Sequence, residues 1–265
     1  MKANRGQIVG LVLVAGALLL GLPQSAHGDL IKIPTLYNTG VDANGVRLGS
    51  NVSDLDYTVT RTGTNSFANA PTYTWRDSDG WPIVDNTWLT DGQDSEHSLY
   101  YGDSAWITPY LAKLGSGDTD PNGAGTYIYR MTFNLTGATM TGTNAPRITG
   151  VWSSDNDGAS IRLNGQDVRD LEGTLFVTPF TAFHDWYDFG ISTGFLPGLN
   201  TLEFVVNNGT GSGNPTGLRV AMLGEADWGS GSAPTNNIVP EPASLSVLGM
   251  GIVGMAVARM RRKRA

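Results

Sequence analysis

Thr126-Tyr127-Ile128-Tyr129-Arg130-Met131-Thr132-Phe133-Asn134-Leu135 alternates with a period of two. Tyr127, Tyr129, Met131, Phe133 and Leu135 fall on one side. Ile128, Arg130, Thr132 and Asn134 fall on the other. That alternation belongs to a strand with one buried face. The pattern recurs on either side of this segment. Ile148, Gly150 and Trp152 alternate, and Ala159, Ile161 and Leu163 follow. Asn164-Gly165 then stops the run with a strong turn pair. Leu199–Asn207 puts Leu202, Phe204 and Val206 on one face, and Leu218, Val220 and Met222 repeat the theme. Shorter strands are expected at Tyr57–Thr62, Tyr73–Arg76, Ala105–Thr108 and Thr174–Thr181. Gly, Asn, Asp and Pro clusters separate them, and no long helical period appears. Many short strands with turn signals between them predict an all-β fold, an antiparallel β-sandwich or jelly roll.

Composition agrees. The chain has 265 residues, 35 Gly, 13 Pro and no Cys, and only 15% of it is charged. High Gly with low charge favours turn-rich β structure. Without Cys there is no disulfide framework, thiolate zinc site, Fe–S cluster or thiol nucleophile. Residues 29–239 keep ten of the 17 basic residues and 23 of the 24 acidic ones, a net charge of −13. Such a body repels nucleic acid, whose phosphates demand Lys and Arg. It is suited to attract Ca²⁺.

The two ends read as addresses. Lys2 and Arg5 precede an uncharged apolar run, Ile8–Leu22. Ala26 and Gly28 then place small residues at −3 and −1 before Asp29. This order predicts an export signal over 1–28, with a helical core and cleavage after Gly28. A body over 29–228 and a polar linker over 229–238 follow. Val239-Pro240-Glu241-Pro242 opens the last segment, 239–265. Leu245–Ala258 is apolar, and Arg259, Arg261, Arg262, Lys263 and Arg264 follow it. The 16 residues 243–258 make a short transmembrane helix, since about 20 span a bilayer unaided. The basic tail would hold the C-terminus in the cytoplasm. The body would then lie across the membrane from it.

This tail resembles the PEP-CTERM sorting signal of Gram-negative bacteria, with Pro-Glu-Pro, apolar segment and Arg-rich end in order. The resemblance implies processing by an exosortase, a membrane thiol protease/transpeptidase. It implies an inner-membrane anchor before processing, then a place at the cell surface or in an exopolysaccharide-rich matrix. Similar tails also occur on ice-binding proteins.

Within the body, Trp152-Ser153-Ser154-Asp155-Asn156-Asp157-Gly158 leads to Leu163-Asn164-Gly165. Gly198-Leu199-Asn200-Thr201-Leu202 and Gly217-Leu218-Arg219-Val220 follow. This order looks like the galactose-binding-like jelly roll, over about residues 125–225. Many members of that superfamily bind sugars on loops or on a face, and many are structural.

Several constellations are candidates for chemistry. Glycoside hydrolysis needs two carboxylates at a set separation. Asp155, Asp157, Asp185 and Glu203 lie near strands, but nothing singles out a pair. The body has only His97 and His184 and lacks a Gly-x-Ser-x-Gly elbow, so serine catalysis has no signature. Asp118, Asp120 and Asn122 begin like a calcium loop, but the twelfth position is Tyr129 rather than Glu. Asp155 and Asp157 form a similar half-motif. Asp and Asn also build turns without any metal. A glycan site needs exposed aromatic faces beside a few polar groups. Trp81, Trp88, Trp186 and Tyr187 sit in polar, acidic surroundings and are the candidates, whereas Trp152 and Trp106 pattern as core. Alternating Thr at 58–64 and 139–143 is too short and unrepeated for an ice-binding array. The sequence therefore predicts a non-catalytic, exported surface or biofilm-matrix protein, with carbohydrate binding as a candidate role beside a purely structural one. A glycoside hydrolase-like enzyme is the main alternative and an ice-binding protein a remote one.

Overall fold

The computed structural model describes residues 30–63, 66–75, 100–109, 123–180, 182–209, 216–229, 231 and 233. The export signal and the tail segment 239–265, with its expected helices, lie outside these residues. Among the described residues, no helix is long and apolar enough to cross a membrane.

The described residues are all-β and antiparallel. Eleven strands form one hydrogen-bonded sheet: β1 (Ile31–Lys32), β2 (Ser53–Thr62), β3 (Phe67–Trp75), β4 (Trp106–Thr108), β5 (Gly125–Asn134), β6 (Arg147–Asp155), β7 (Asp157–Leu163), β8 (Gln166–Asp167), β9 (Tyr187–Ile191), β10 (Leu199–Asn208) and β11 (Gly217–Ala226). Their order is β8-β7-β10-β5-β2-β3-β4-β11-β6-β9, with β1 beside β11. The sheet curls on itself. Trp152 of β6 and Phe204 of β10 are far apart along the strand order, yet their rings lie 5.6 Å apart. Phe189 of β9 meets Phe204 edge-on at 5.8 Å.

The alternation read from sequence supplies this core. Tyr127, Tyr129, Met131, Phe133 and Leu135 are all buried, as are Leu202, Phe204, Val206, Leu218, Val220 and Met222. Asn164 and Gly165 both take positive φ, 53° and 78°. That is the backbone a two-residue hairpin requires, and it pairs Leu163 with Gln166. From Gly150 onward, β6 is buried on both faces.

One expected strand is missing. Residues 174–180 contain no strand, only an isolated bridge from Arg169 to Leu175. Asp170 turns the chain there by accepting the Glu172 and Thr174 amides. Thr178 is diverted from pairing because its hydroxyl bonds Ser154 and the Gly158 amide. Pro179 has no amide to donate to a ladder.

The N-terminal segment is sewn to β11 and to residues 101–105. The Asn38 amide donates to the Tyr101 and Asp103 carbonyls and accepts from the Met222 amide. Thr39 donates to the Ala105 carbonyl and accepts from the Val220 amide. At the other end Trp228 is buried, its indole N–H on the Thr136 carbonyl.

Gly158 opens β7 directly beneath the Trp152 ring. A Cβ at this position would run into the six-membered ring of Trp152 and the Thr178 hydroxyl. Gly158→Ala should therefore lower the unfolding free energy by about 1–3 kcal/mol, the usual cost of overpacking. Urea denaturation of the two proteins measures this. An unchanged midpoint would mean that the ring has room to withdraw.

Candidate glycan- and cation-binding rim

One end of the sheet gathers polar residues from strand ends and from the β6–β7 crossing. β6 ends at Asp155 and β7 begins at Asp157, so Asn156 alone joins strands from opposite layers. The Asp155–Asn156 peptide bond is cis. Across this end the register runs from Gly217 to Asp155 on one layer. On the other it runs from Asp157 to Asn207, Thr126 and Thr62. Neighbouring strands are about 4.8 Å apart, so Asp157 and Thr62 are separated by about 15 Å along the rim.

Side chains hold the rim together. The Asn156 carboxamide donates to Asp155 Oδ1 at 2.6 Å and accepts from the Gly209 amide at 2.8 Å. Ser154 donates to the Asn156 carbonyl. Asn207 reaches Asp157 Oδ2 at 3.4 Å and accepts from the Thr126 hydroxyl at 3.0 Å. Asp155 is only 2% exposed, and Asp157 is half-buried.

Beside the Asp155 carboxylate lie two further buried hydroxyls. Tyr129 Oη and Thr216 Oγ1 interact, but neither makes a hydrogen bond of good geometry. Burial pushes the Tyr129 phenol well above its ordinary range, so it stays protonated. Buried polar groups without good partners are uncommon in folded proteins.

Each carboxylate accepts a side-chain amide N–H here, from Asn156 on Asp155 and from Asn207 on Asp157, whereas Ca²⁺ takes oxygen donors only. Among the described residues, no three His, Asp or Glu side chains gather at metal-binding distance. A cation here would thus take amide or main-chain oxygens along with Asp155 and Asp157.

The other candidates are dispersed. Trp81, Trp88, Asp118, Asp120, Asn122 and His97 lie outside the described residues. Trp186 and Tyr187 are half-buried at the start of β9. The Arg219 guanidinium lies over the Trp186 ring at 5.3 Å, itself held by the Ser104 hydroxyl and carbonyl. Trp186 is therefore a cation–π partner of Arg219. Burial raises the Tyr187 phenol, assisted by the Asp185 charge. Glu203 is bound to Arg130 at 2.7 Å across the β5–β10 ladder.

Thr178, Asn207 and Thr126 escape sequence reasoning. Each carries an ordinary turn or strand residue type. Antiparallel register sets Asn207 beside Thr126, and hydrogen bonds tie Thr178 to Ser154 and the Gly158 amide. Asn207-Asn208 at a strand end is the one faint signal.

A carboxyl poised near neutrality does exist elsewhere. Burial raises Asp54 to about 7, even though the Gly40 and Asp56 amides bond its two oxygens. Asp56 is raised to about 6 by burial and by the Asp42 charge. Asp54 thus has the proton affinity of an acid catalyst, but both oxygens are committed to backbone amides. Such a carboxyl binds its proton more tightly folded than unfolded, where the value is 3.8. Its contribution to stability is full at low pH and is lost as pH rises from about 4 through about 7. Thermal melts should show wild type losing more stability between about pH 5 and about pH 8 than Asp54→Asn does. Parallel pH curves would mean that Asp54 is ionised in the folded state.

Comparison with known proteins finds a PEP-CTERM protein-sorting motif at residues 239–263. No curated protein matches the sequence. Solved structures with some likeness include an exo-beta-1,3-galactanase from Phanerochaete chrysosporium with beta-1,3-galactotriose. It shares 8% identity over 67% of this chain and 30% of its own, with a TM-score of 0.27. Another is the enzymatically active domain of tailspike protein 4 of bacteriophage CBA120. There the identity is 14%, over 67% of this chain and 22% of that one, with a TM-score of 0.32. A beta-glucosidase from Kluyveromyces marxianus in complex with glucose shares 11% over 67% of this chain and 20% of its own, with a TM-score of 0.24. This chain spans less than a third of the length of each. At such low TM-scores the likenesses carry nothing about how this chain works.

Proposed function

We propose that this chain, which ends in a PEP-CTERM protein-sorting motif, is an exported exosortase substrate that works at the cell surface or in the extracellular matrix. The sorting motif is the observation that carries this reading. The N-terminal apolar segment with its small-residue cleavage site would start export. Ala243–Ala258 and the basic tail would hold the protein at the inner membrane until processing. In a host that has the exosortase, wild type should lose its tail and leave the inner-membrane fraction. Replacing Pro240, Glu241 and Pro242 with Ala should leave the full-length chain there, as immunoblots of the fractions would report. Equal release of both proteins would sink the sorting reading.

The body is proposed to be non-catalytic and to bind carbohydrate at the rim, in the manner of a galactose-binding-like module. Loop ends on a rigid sheet are where binding residues concentrate. Asp157 and Asn207 offer half-buried acceptors and donors suited to sugar hydroxyls. Asp155 and Asp157 would hold Ca²⁺. A glycan array probed with the purified full chain should give saturable binding to matrix-type polysaccharide. EGTA or Asp155→Asn should weaken it about ten-fold, the loss of one charge-assisted contact. A blank array, with and without Ca²⁺, would leave the chain as a sorted structural protein. Turnover of glycosidic bonds would favour the hydrolase instead.

A further inference from the structure

The pole of the sheet opposite the rim gathers both ends of the body. β11 starts at the rim, where Gly217 pairs with Asp155, and its ten residues carry it about 30 Å to Ala226. There β1 pairs Ile31 with Ala226 and Lys32 with Glu225. Trp228 follows, buried, with its indole N–H on the Thr136 carbonyl. The Gly231 amide donates back to the Trp228 carbonyl, and Ala233 still packs against the core. The chain that comes from the signal segment and the chain that leads to the sorting motif therefore meet the body at one pole.

That pole exposes apolar side chains. Leu196 and Leu199 are 50% and 67% exposed, and Ile31 is 44% exposed. The turn that carries the two leucines is fixed from within. Asn200 accepts from the Leu196 amide and donates to the Leu196 and Gly198 carbonyls. Phe195 holds the turn edge-on against Phe133 at 6.3 Å. Gly198 accepts from the Leu135 amide, next to the Thr136 carbonyl that holds Trp228. The Thr35 hydroxyl accepts from the Asn134 amide and ties the N-terminal segment to the same corner. Apolar side chains already fixed in place can make a contact without a further ordering cost. Grouped on one pole, they mark a protein or membrane contact.

The length of chain beyond the pole decides between them. Residues 234–242 join Ala233 to the segment that the sorting reading places in the membrane. Ten peptide steps from Ala233 to Ala243 reach at most about 35 Å. As a flexible coil they span about 15–20 Å. A bilayer surface is therefore held close to this pole, at high effective concentration, for as long as the tail is in place. Among the described residues here, Glu225 is paired with Arg147, and Asp227 is 5% exposed and accepts from the Gly229 amide. The pole thus sets no bare carboxylate against anionic headgroups, whereas the acidic rim lies at the far end. We infer that this pole is a lipid-contact surface: Leu196, Leu199 and Ile31 rest in the headgroup region while the sorting tail anchors the chain, and the rim points away from the membrane. This rests on the sorting reading above. Three side chains bury little apolar area, so the contact is lost once the tether is cut.

The chain has no Cys, so one introduced thiol takes one label. Leu199→Cys and Thr62→Cys place a fluorophore at the pole and at the rim. Each full chain is reconstituted in phosphatidylethanolamine–phosphatidylglycerol vesicles that carry a phospholipid spin-labelled near its headgroup. Vesicle flotation establishes that the chain is anchored. The label at position 199 should be quenched several-fold more than the label at position 62. A label on Ile31→Cys should also be quenched. It should lose most of that quenching when Leu196→Glu and Leu199→Glu are added, with flotation unchanged. Near-ultraviolet circular dichroism confirms that each variant is folded. Should the double Glu substitution unfold the chain, Leu196→Ser with Leu199→Ser carries the test. Equal quenching at positions 199 and 62 in chains that float would overturn the inference and leave the anchored intermediate standing. Quenching at position 31 that survives the double substitution would overturn the lipid contact. A full chain that does not float would overturn both the inference and the anchor on which it rests.

Discussion

The contact between Trp152 and Phe204 closes the sheet. These residues come from strands that do not pair, and their rings meet at 5.6 Å in the space between layers. Phe189 adds an edge-on contact to the same ring. Gly158 lets the indole seat itself against β7, because a side chain there would occupy the ring's place. The fold thus joins its layers at the point where β6 hands over to β7. Large aromatic side chains dominate core energetics, so this cluster is the natural seam.

The rim follows from that seam. With Trp152 seated inward, the chain passes from β6 to β7 through Asn156 alone. Ser154, Asn156 and Thr178 meet the polar groups freed by the crossing, and Asp155 is drawn inward beside Tyr129. A tight inter-layer crossing therefore concentrates acceptors at one edge. The adjoining strand ends add Asn207, Thr126 and Thr62 in register. Asp54 shows the contrasting use of a buried acid. Its oxygens cap the Gly40 and Asp56 amides and tie the N-terminal loop to β2.

Long alternating runs are legible from the residue pattern. β5, β10 and β11 carry period-two apolar patterns whose members are buried, although β11 is buried on its other face as well from Gly217 to Met222. The Asn164-Gly165 hairpin is legible because few residue pairs accept two positive φ values. Thr174–Thr181 misleads because β-branched residues favour strands on average, whereas Thr178 is held by the Ser154 and Gly158 groups instead. β9 reads only as an aromatic cluster, since five residues are too few to display a period. Trp186 reads as an exposed aromatic from its acidic neighbours. Only the fold sets Arg219, 33 positions away in the chain, over its ring.

The address and the class are written in the residue order: a sorting motif at 239–263 and an all-β antiparallel body. Both are local properties. A motif is read along a few dozen residues, and alternation reports which face of a strand is buried. Folding in three dimensions sets which strands adjoin, and with them every candidate site. Asp157, Asn207, Thr126 and Thr62 are scattered over 146 residues of chain. They become one rim only through antiparallel register across four strands. Arg61 reads as one polar position in a threonine-rich strand. Closure of the sheet buries it beside Tyr127, with one guanidinium nitrogen on the Ala124 carbonyl. Burial and pairing depend on distant partners, and no local pattern encodes them.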